Sequence, residues 1–139
     1  MMVPGSPPYP RPRVDQINQP FIEAWRGGEL ELQHCTQCGA VVFYPRPHCP
    51  ACWSDRMEWR RASGRGRIVS FSLVYRPNHE AFVDEVPIIL AEIELEEGAS
   101  MLARVICETP DAVKSGAGVE LLVPEHASRY PLPAFRLSE

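Results

Sequence analysis

Two Cys-x2-Cys pairs, Cys35 with Cys38 and Cys49 with Cys52, are the residues of this chain best placed to do chemistry, and ten residues separate them. Two residues between thiolates make a tight turn that aims both sulfurs and several backbone amides at one point, and two such turns complete a tetrahedron around a single ion. The spacing predicts zinc. Because four protein thiolates leave no position for water or substrate, that zinc is expected to be structural rather than catalytic. Iron suits the same tetrathiolate set. Buried or disulfide-bonded cysteines are the plainer alternative, disfavoured in a reducing cytosol and by the odd total of five cysteines. His34 and His48 each precede a cysteine and are expected to donate to the sulfurs or to face water. Cys107, at the end of an apolar run, reads as a small core residue.

No other constellation has the makings of an active site. A hydrolase or transferase would need a nucleophile with its base, or paired carboxylates in a perturbed setting, and neither is legible. His79 and His126 fall in predicted loops without partners and read as solvated. Glu92 and Glu94 alternate with apolar positions as a solvated face, and Glu96 and Glu97 sit at a turn. The run Gly64-Arg65-Gly66-Arg67 is a turn whose amides and two guanidinium groups could also wrap a phosphate.

The formal net charge is −4, and a tetrathiolate zinc would lower it by about two more units. That balance disfavours a general nucleic-acid surface. It conceals an asymmetry, with Arg56, Arg60, Arg61, Arg65, Arg67 and Arg76 in one stretch and seven acidic residues from Glu80 to Glu97 after it. An anionic ligand could therefore meet a local positive site.

Three segments must position these groups. Residues 1–19 are rich in proline and without periodicity, so an extended arm is expected there. Residues 20–62 hold a short helix, with Pro20 in its first turn, Phe21, Ile22 and Trp25 on its apolar face and Gly27 and Gly28 at its end. The cysteine knuckles follow, flanked by short strands at Leu30 to His34, Val41 to Tyr44 and Met57 to Ala62. Such a small module needs a staple, a metal or disulfides, because its apolar core is too small.

Residues 63–139 read as nearly all β. Val69, Phe71, Leu73 and Tyr75 share one phase, and Ile89, Ala91, Ile93 and Leu95 another, with Phe71 expected to face the core. A turn at Glu97-Gly98 joins the second strand to Met101–Cys107, and Val119–Val123 and Ala134–Leu137 follow. About five strands fit a small closed barrel better than a flat sheet with exposed edges. The proline-broken start has no apolar core of the kind a secretory signal needs, so secretion by that route is not expected, and the longest apolar candidate, Val86 to Leu95, contains Pro87, Glu92 and Glu94. A cytoplasmic protein without a membrane span is expected.

With these elements placed, the chain closely resembles the thiolase-associated zinc-ribbon and OB-fold family, catalogued as domain of unknown function 35. The resemblance runs from about Pro20 to Phe135 and rests on several motifs. They are Phe-Ile-Glu-Ala-Trp-Arg-Gly-Gly-Glu-Leu at 21–30, Cys-Thr-Gln-Cys-Gly at 35–39, Tyr-Pro-Arg-Pro at 44–47 and Cys-Pro-Ala-Cys at 49–52. Gly-Arg-Gly at 64–66, Ile-Glu-Leu-Glu-Glu-Gly at 93–98 and Leu-Pro-Ala-Phe-Arg at 132–136 complete the set.

The resemblance implies a mainly β fold, an N-terminal helix and rubredoxin-like zinc ribbon followed by a five-stranded OB-fold barrel. It also implies a subunit that is not catalytic alone but holds a coenzyme A thioester for a thiolase, a thiolase-like aldolase or an acyl-CoA hydratase. Cys35, Cys38, Cys49 and Cys52 match the family's metal ligands. Arg65 and Arg67 match only its turn motif and are expected to meet the CoA phosphates. Trp53 stands where glycine usually follows the last cysteine, and is expected to pack on the ribbon, with a partner contact as the other reading. A single-stranded nucleic-acid module is the competing function, opposed by the charge and by sparse aromatics. A free-standing zinc enzyme is opposed by the full coordination shell.

Overall fold

The structure is a computed structural model that describes residues 11–122 and 130–138. His126 lies outside the described residues, as do positions 1–10 of the proline-rich segment. The end of that segment turns rather than extends: Asp15 Oδ1 accepts the amides of Ile17 and Asn18, and buried Asn18 donates through Nδ2 to the Arg13 carbonyl. Helix α1, Gln19–Arg26, begins there with Pro20 in its first turn and buries Phe21, Ile22 and Trp25. Its face is the one the 3.6-residue period specifies.

A three-stranded antiparallel sheet follows, of β1 (Glu31–Cys35), β2 (Val41–Val42) and β3 (Met57–Arg61) in the order β2-β1-β3. Gln33 is buried in its centre. Its side-chain amide donates to the Arg46 carbonyl at 2.8 Å and accepts the Arg46 amide at 2.7 Å, which pins the loop after β2 onto β1. A buried amide satisfied on both sides holds a loop firmly, because unpairing it leaves polar atoms away from water.

The remaining strands are β4 (Arg65–Val74), β5 (Ile88–Leu95), β6 (Ser100–Val105), β7 (Gly118–Leu121) and β8 (Ala134–Leu137), and they close as β4-β5-β6-β8-β7. All contacts are antiparallel except β6 with β8. This is the expected mainly β, OB-type barrel. Short 3-10 turns at Glu80–Glu85 and Pro110–Ala112 were not foreseen.

The interior is built in rows across paired strands. Ile68, Ile93 and Met101 form one, Phe71, Ala91 and Ala103 the next, and Leu73, Ile89 and Val105 the third. The expected alternation from Val69 to Tyr75 fails at its start. Ile68 pairs with Ile93 and Ser70 with the adjacent Glu92, so Val69 is bulged out and the inward phase changes from even to odd numbers. Ile68 is the buried residue, Val69 and Tyr75 are exposed, and Phe71 stays on the inner row but is 37% exposed. Phe71 is therefore only a marginal core residue.

Phe21, Ile22, Leu30 and Leu32 join the same apolar cluster as the barrel interior. Trp25 packs with Leu122 and Ala134, and its indole N–H donates to the Tyr130 carbonyl at 2.7 Å. Helix and ribbon are thus seated on the barrel by shared burial. Among the described residues no helix is long and apolar enough to cross a membrane.

Barrel closure requires a very close approach at Gly66, where a Cβ would stand 2.5 Å from the Glu94 carbonyl oxygen and 2.9 Å from Ile93 Cγ2. Backbone cannot swing aside as a side chain does. Gly66→Ala is expected to destabilise the protein by about 1–3 kcal/mol in a urea titration, whereas Gly98→Ala, with open space around it, should show only the strain of a left-handed residue.

Candidate metal centre and apolar groove

The two cysteine pairs fold as matching knuckles. In the first, the Cys35 amide donates to Ala40 O and the Gly39 amide to Cys35 O; in the second, the Cys49 amide donates to Ser54 O and the Trp53 amide to Cys49 O. Amides of Cys38 and Ala51 point at Cys35 Sγ and Cys49 Sγ, each at 3.4 Å. The four sulfurs lie within 4.8 Å of one another. Cys35 and Cys52, and Cys38 and Cys49, approach to 3.6 Å. A tetrahedron with Zn–S bonds of about 2.3 Å has edges of about 3.8 Å, so the donor set fits one zinc ion in both chemistry and size. Neither His34 nor His48 joins this cluster.

The electrostatics explain why a cation belongs there. The Cys38 amide holds the Cys35 thiol down at about 6 against partial burial. Burial is the largest influence on Cys49 and opposes ionisation, yet the Cys52 and Ala51 amides carry it below the usual thiol value. At Cys38 and Cys52 the strongest single influences, the Ala40 and Ser54 amides, favour the thiolate, but neighbouring sulfurs and burial outweigh them, and Cys52 is pushed up to about 12. Without a metal, charge on two sulfurs blocks ionisation of the others.

Trp53 departs from expectation. It occupies the position that Gly39 fills in the first knuckle, with φ of +65° against +81° for Gly39. Its side chain does not pack on the ribbon: it is 79% exposed.

Arg65 and Arg67 stand at the start of β4, where each meets a carboxylate: Arg65 Nε lies 3.3 Å from Glu96 and Arg67 Nη2 3.7 Å from Glu94. Both remain largely exposed. They do not line the apolar cavity that opens at the other end of β4, beside Val74 and Arg76.

That cavity, of about 710 Å³, lies where α1 and the ribbon meet the outer face of the barrel. Phe21, Phe43 and Tyr44 form one wall; Val74, Ile88, Leu90, Leu102 and Arg104 form the floor; Phe82 and residues 130–134 close the rest. Leu90 and Leu102 are 44% and 75% exposed on the outward phase of β5 and β6. Arg104 is held by Glu85 at 2.7 Å, with the Phe82 and Tyr130 ring centroids 5.9 and 5.4 Å from its Cζ.

The sequence reading missed this groove. The available signal was apolar side chains in both phases of two neighbouring strands, Ile88-Ile89-Leu90 and Met101-Leu102, where a strand with one solvated face needs them in only one.

His79 is a cap rather than a free loop residue, since its Nδ1 accepts the Ala81 amide at 3.0 Å. Cys107 packs partly against the core and donates to the Thr109 carbonyl.

The description "ChsH2, rubredoxin-like zinc ribbon domain" matches residues 23–58, and "ChsH2, C-terminal OB-fold domain" matches residues 59–123. A DUF35 domain-containing scaffold protein of Pyrococcus furiosus is 34% identical over 112 residues, covering 79% of this chain and 77% of its own length. The chain belongs to the DUF35 family. A chain of the Ltp2-ChsH2(DUF35) aldolase superposes with a TM-score of 0.76 at 31% identity, covering 91% of this chain and 98% of that one. A probable enoyl-CoA hydratase alpha subunit of Thermomonospora curvata is 32% identical over 127 residues. The alignment takes in 91% of this DUF35 chain but only 39% of the hydratase subunit.

Zinc uptake by this DUF35 protein has a definite sign with pH. Thiols whose pKa is raised carry protons at neutral pH, and zinc must expel them, so affinity should rise with pH and fall on acidification. Calorimetry in buffers of different ionisation enthalpy should show proton release, and Cys49→Ser should lose stoichiometric zinc and the ribbon fold together. Trp53→Gly relieves a left-handed residue and is expected to raise the unfolding free energy of the zinc-loaded protein by about 0.5–1 kcal/mol without changing its zinc content.

Proposed function

We propose that this chain is a non-catalytic accessory subunit of acyl-CoA metabolism, which binds an acyl-CoA thioester in the cytoplasm and presents it to a thiolase, a thiolase-like aldolase or an acyl-CoA hydratase. The observation that carries this reading is the match, over 98% of its length, to a chain of the Ltp2-ChsH2(DUF35) aldolase. The side chains support the same division of labour. Cys35, Cys38, Cys49 and Cys52 are the proposed ligands of a structural zinc, and such a shell offers substrate no vacancy. Among the described residues no other group of three or more His, Cys, Asp and Glu side chains is assembled closely enough to hold a metal. His79 Nδ1 is already occupied by a backbone amide. The nucleophile and base are therefore assigned to the partner.

For the CoA phosphates, Arg65 and Arg67 are the proposed contacts, the phosphate taking the place of Glu96 and Glu94. The test co-expresses the chain with the enzymes encoded beside it and measures thioester binding and turnover for each protein alone and for the complex. Turnover by the complex and none by this chain alone is the expected result; turnover by the isolated chain would end the accessory reading. Tight, salt-sensitive binding of a single-stranded oligonucleotide without any response to CoA thioesters would move the function to the nucleic-acid class. Replacing Arg65 and Arg67 by alanine together should weaken CoA binding by about tenfold, the scale of charge-assisted hydrogen bonds. Elemental analysis should find one zinc per chain, and iron in its place would change only the ion.

A further inference from the structure

Strands with one solvated face place polar groups outward, and β5 does so at Glu92 and Glu94. Two residues away the rule is broken, since Leu90 and Leu102 lie outward on neighbouring strands and are left open to water. Together with the aromatic wall from the ribbon they line a cavity of about 710 Å³, within the range of small-molecule sites. Among the described residues the charged side chains lining it are Arg76 and Arg104, with no carboxylate, in a chain whose net charge is −4. With Arg104 paired to Glu85, the groove is apolar with one further cation, Arg76, at its rim, a setting that suits an amphipathic anion.

Arg104 adds a sharper constraint. Its Nη2 pairs with Glu85 at 2.7 Å, while Nε and Nη1 are buried without a hydrogen-bond partner. Unaccepted guanidinium donors in an apolar setting call for an acceptor. Because Glu85 already balances the charge, an uncharged oxygen suits those donors better than a second carboxylate, which would meet Glu85 at close range. Arg76, exposed at the rim, has no ion-pair partner among the described residues and is open to an anion. Phe82, which stands over Arg104, belongs to the Glu80–Glu85 turn, and that turn buries none of its own residues.

We infer that this groove between ribbon and barrel holds the acyl portion of the thioester, its apolar body on Leu90 and Leu102, a carbonyl oxygen at Arg104 and the anionic remainder leaving past Arg76. The inference rests on the acyl-CoA reading above and places the acyl group at the end of β4 opposite Arg65 and Arg67.

The test titrates decanoyl-CoA and free CoA into the zinc-loaded full chain and into its complex with the co-expressed partner, comparing wild type with Leu102→Asp. Leu102 is 75% exposed, so this variant should fold and keep its zinc. Decanoyl-CoA is expected to bind it about tenfold more weakly, with free CoA unaffected. The paired variant Arg104→Met with Glu85→Gln, which removes the ion pair without leaving a lone charge, should repeat that pattern. Equal decanoyl-CoA affinity in wild type and Leu102→Asp would overturn the groove assignment while the accessory function stands. Loss of the partner from Leu102→Asp with thioester affinity unchanged would also overturn it and make the groove a protein interface. No binding of decanoyl-CoA to wild type in either form would overturn both.

Discussion

Four thiolates gathered within 4.8 Å cannot all be charged in the absence of a cation, and besides the β1–β3 pairing, the Gln33–Arg46 amide pair and the hydrogen bonds from Thr36 to the Arg56 carbonyl it is this cluster that joins the two knuckles. Its β2 strand is two residues long, and the knuckle turns are surface features with few apolar groups of their own. A metal that binds all four sulfurs converts mutual repulsion into attraction and closes the loop between Cys35 and Cys52. The rest of the front lobe follows from that cross-link. β1 and β3 are brought into register, Gln33 finds the loop at Arg46, and Phe43 and Tyr44 are presented on the side that faces the barrel.

The same cross-link matters to the barrel because the two parts are not independent in their packing. Phe21, Ile22, Leu30 and Leu32 belong to the cluster that fills the barrel, and Trp25 reaches the segment before β8. A ribbon held rigid by metal therefore acts as one wall of the groove, opposite the outward face of β5 and β6. The groove is a product of the junction. Neither the ribbon nor the barrel contains it alone, so the ribbon contributes to the surface of the molecule as well as to its packing.

Trp53 shows a different balance of forces. Its twin position in the first knuckle is a glycine, and the left-handed backbone there disfavours any side chain. The large indole nevertheless remains outside, where it gains almost no burial from its own fold. The pattern of the knuckle dictated the backbone at Trp53, and its side chain is left in solvent.

How far sequence reasoning reached depends on how local each cause was. The cysteine spacing, the helix from Gln19 to Arg26, the hairpin around Gly98 and the β8 segment were legible because each is governed by residues within a turn or a pair of neighbouring strands. The alternation in β5 placed Ile89, Ala91, Ile93 and Leu95 inside correctly for the same reason. The bulge at Val69 was not legible, since it arises from closing a long strand against two neighbours at once and leaves no mark on the residues themselves. Arg65 and Arg67 were read as phosphate contacts in a turn, and their pairing with Glu96 and Glu94 was not legible because those carboxylates sit opposite them only after β4 and β5 have paired. The groove with Arg104 required the most distant conjunction, bringing residues 21, 44, 90, 104 and 132 to one place. By itself the sequence determined which four cysteines converge and the class of fold, because short-range spacing and period carry that information. Where the charges pair, which strand phase turns outward and where a ligand can lie were decided only by tertiary structure, because those depend on contacts between segments far apart in the chain.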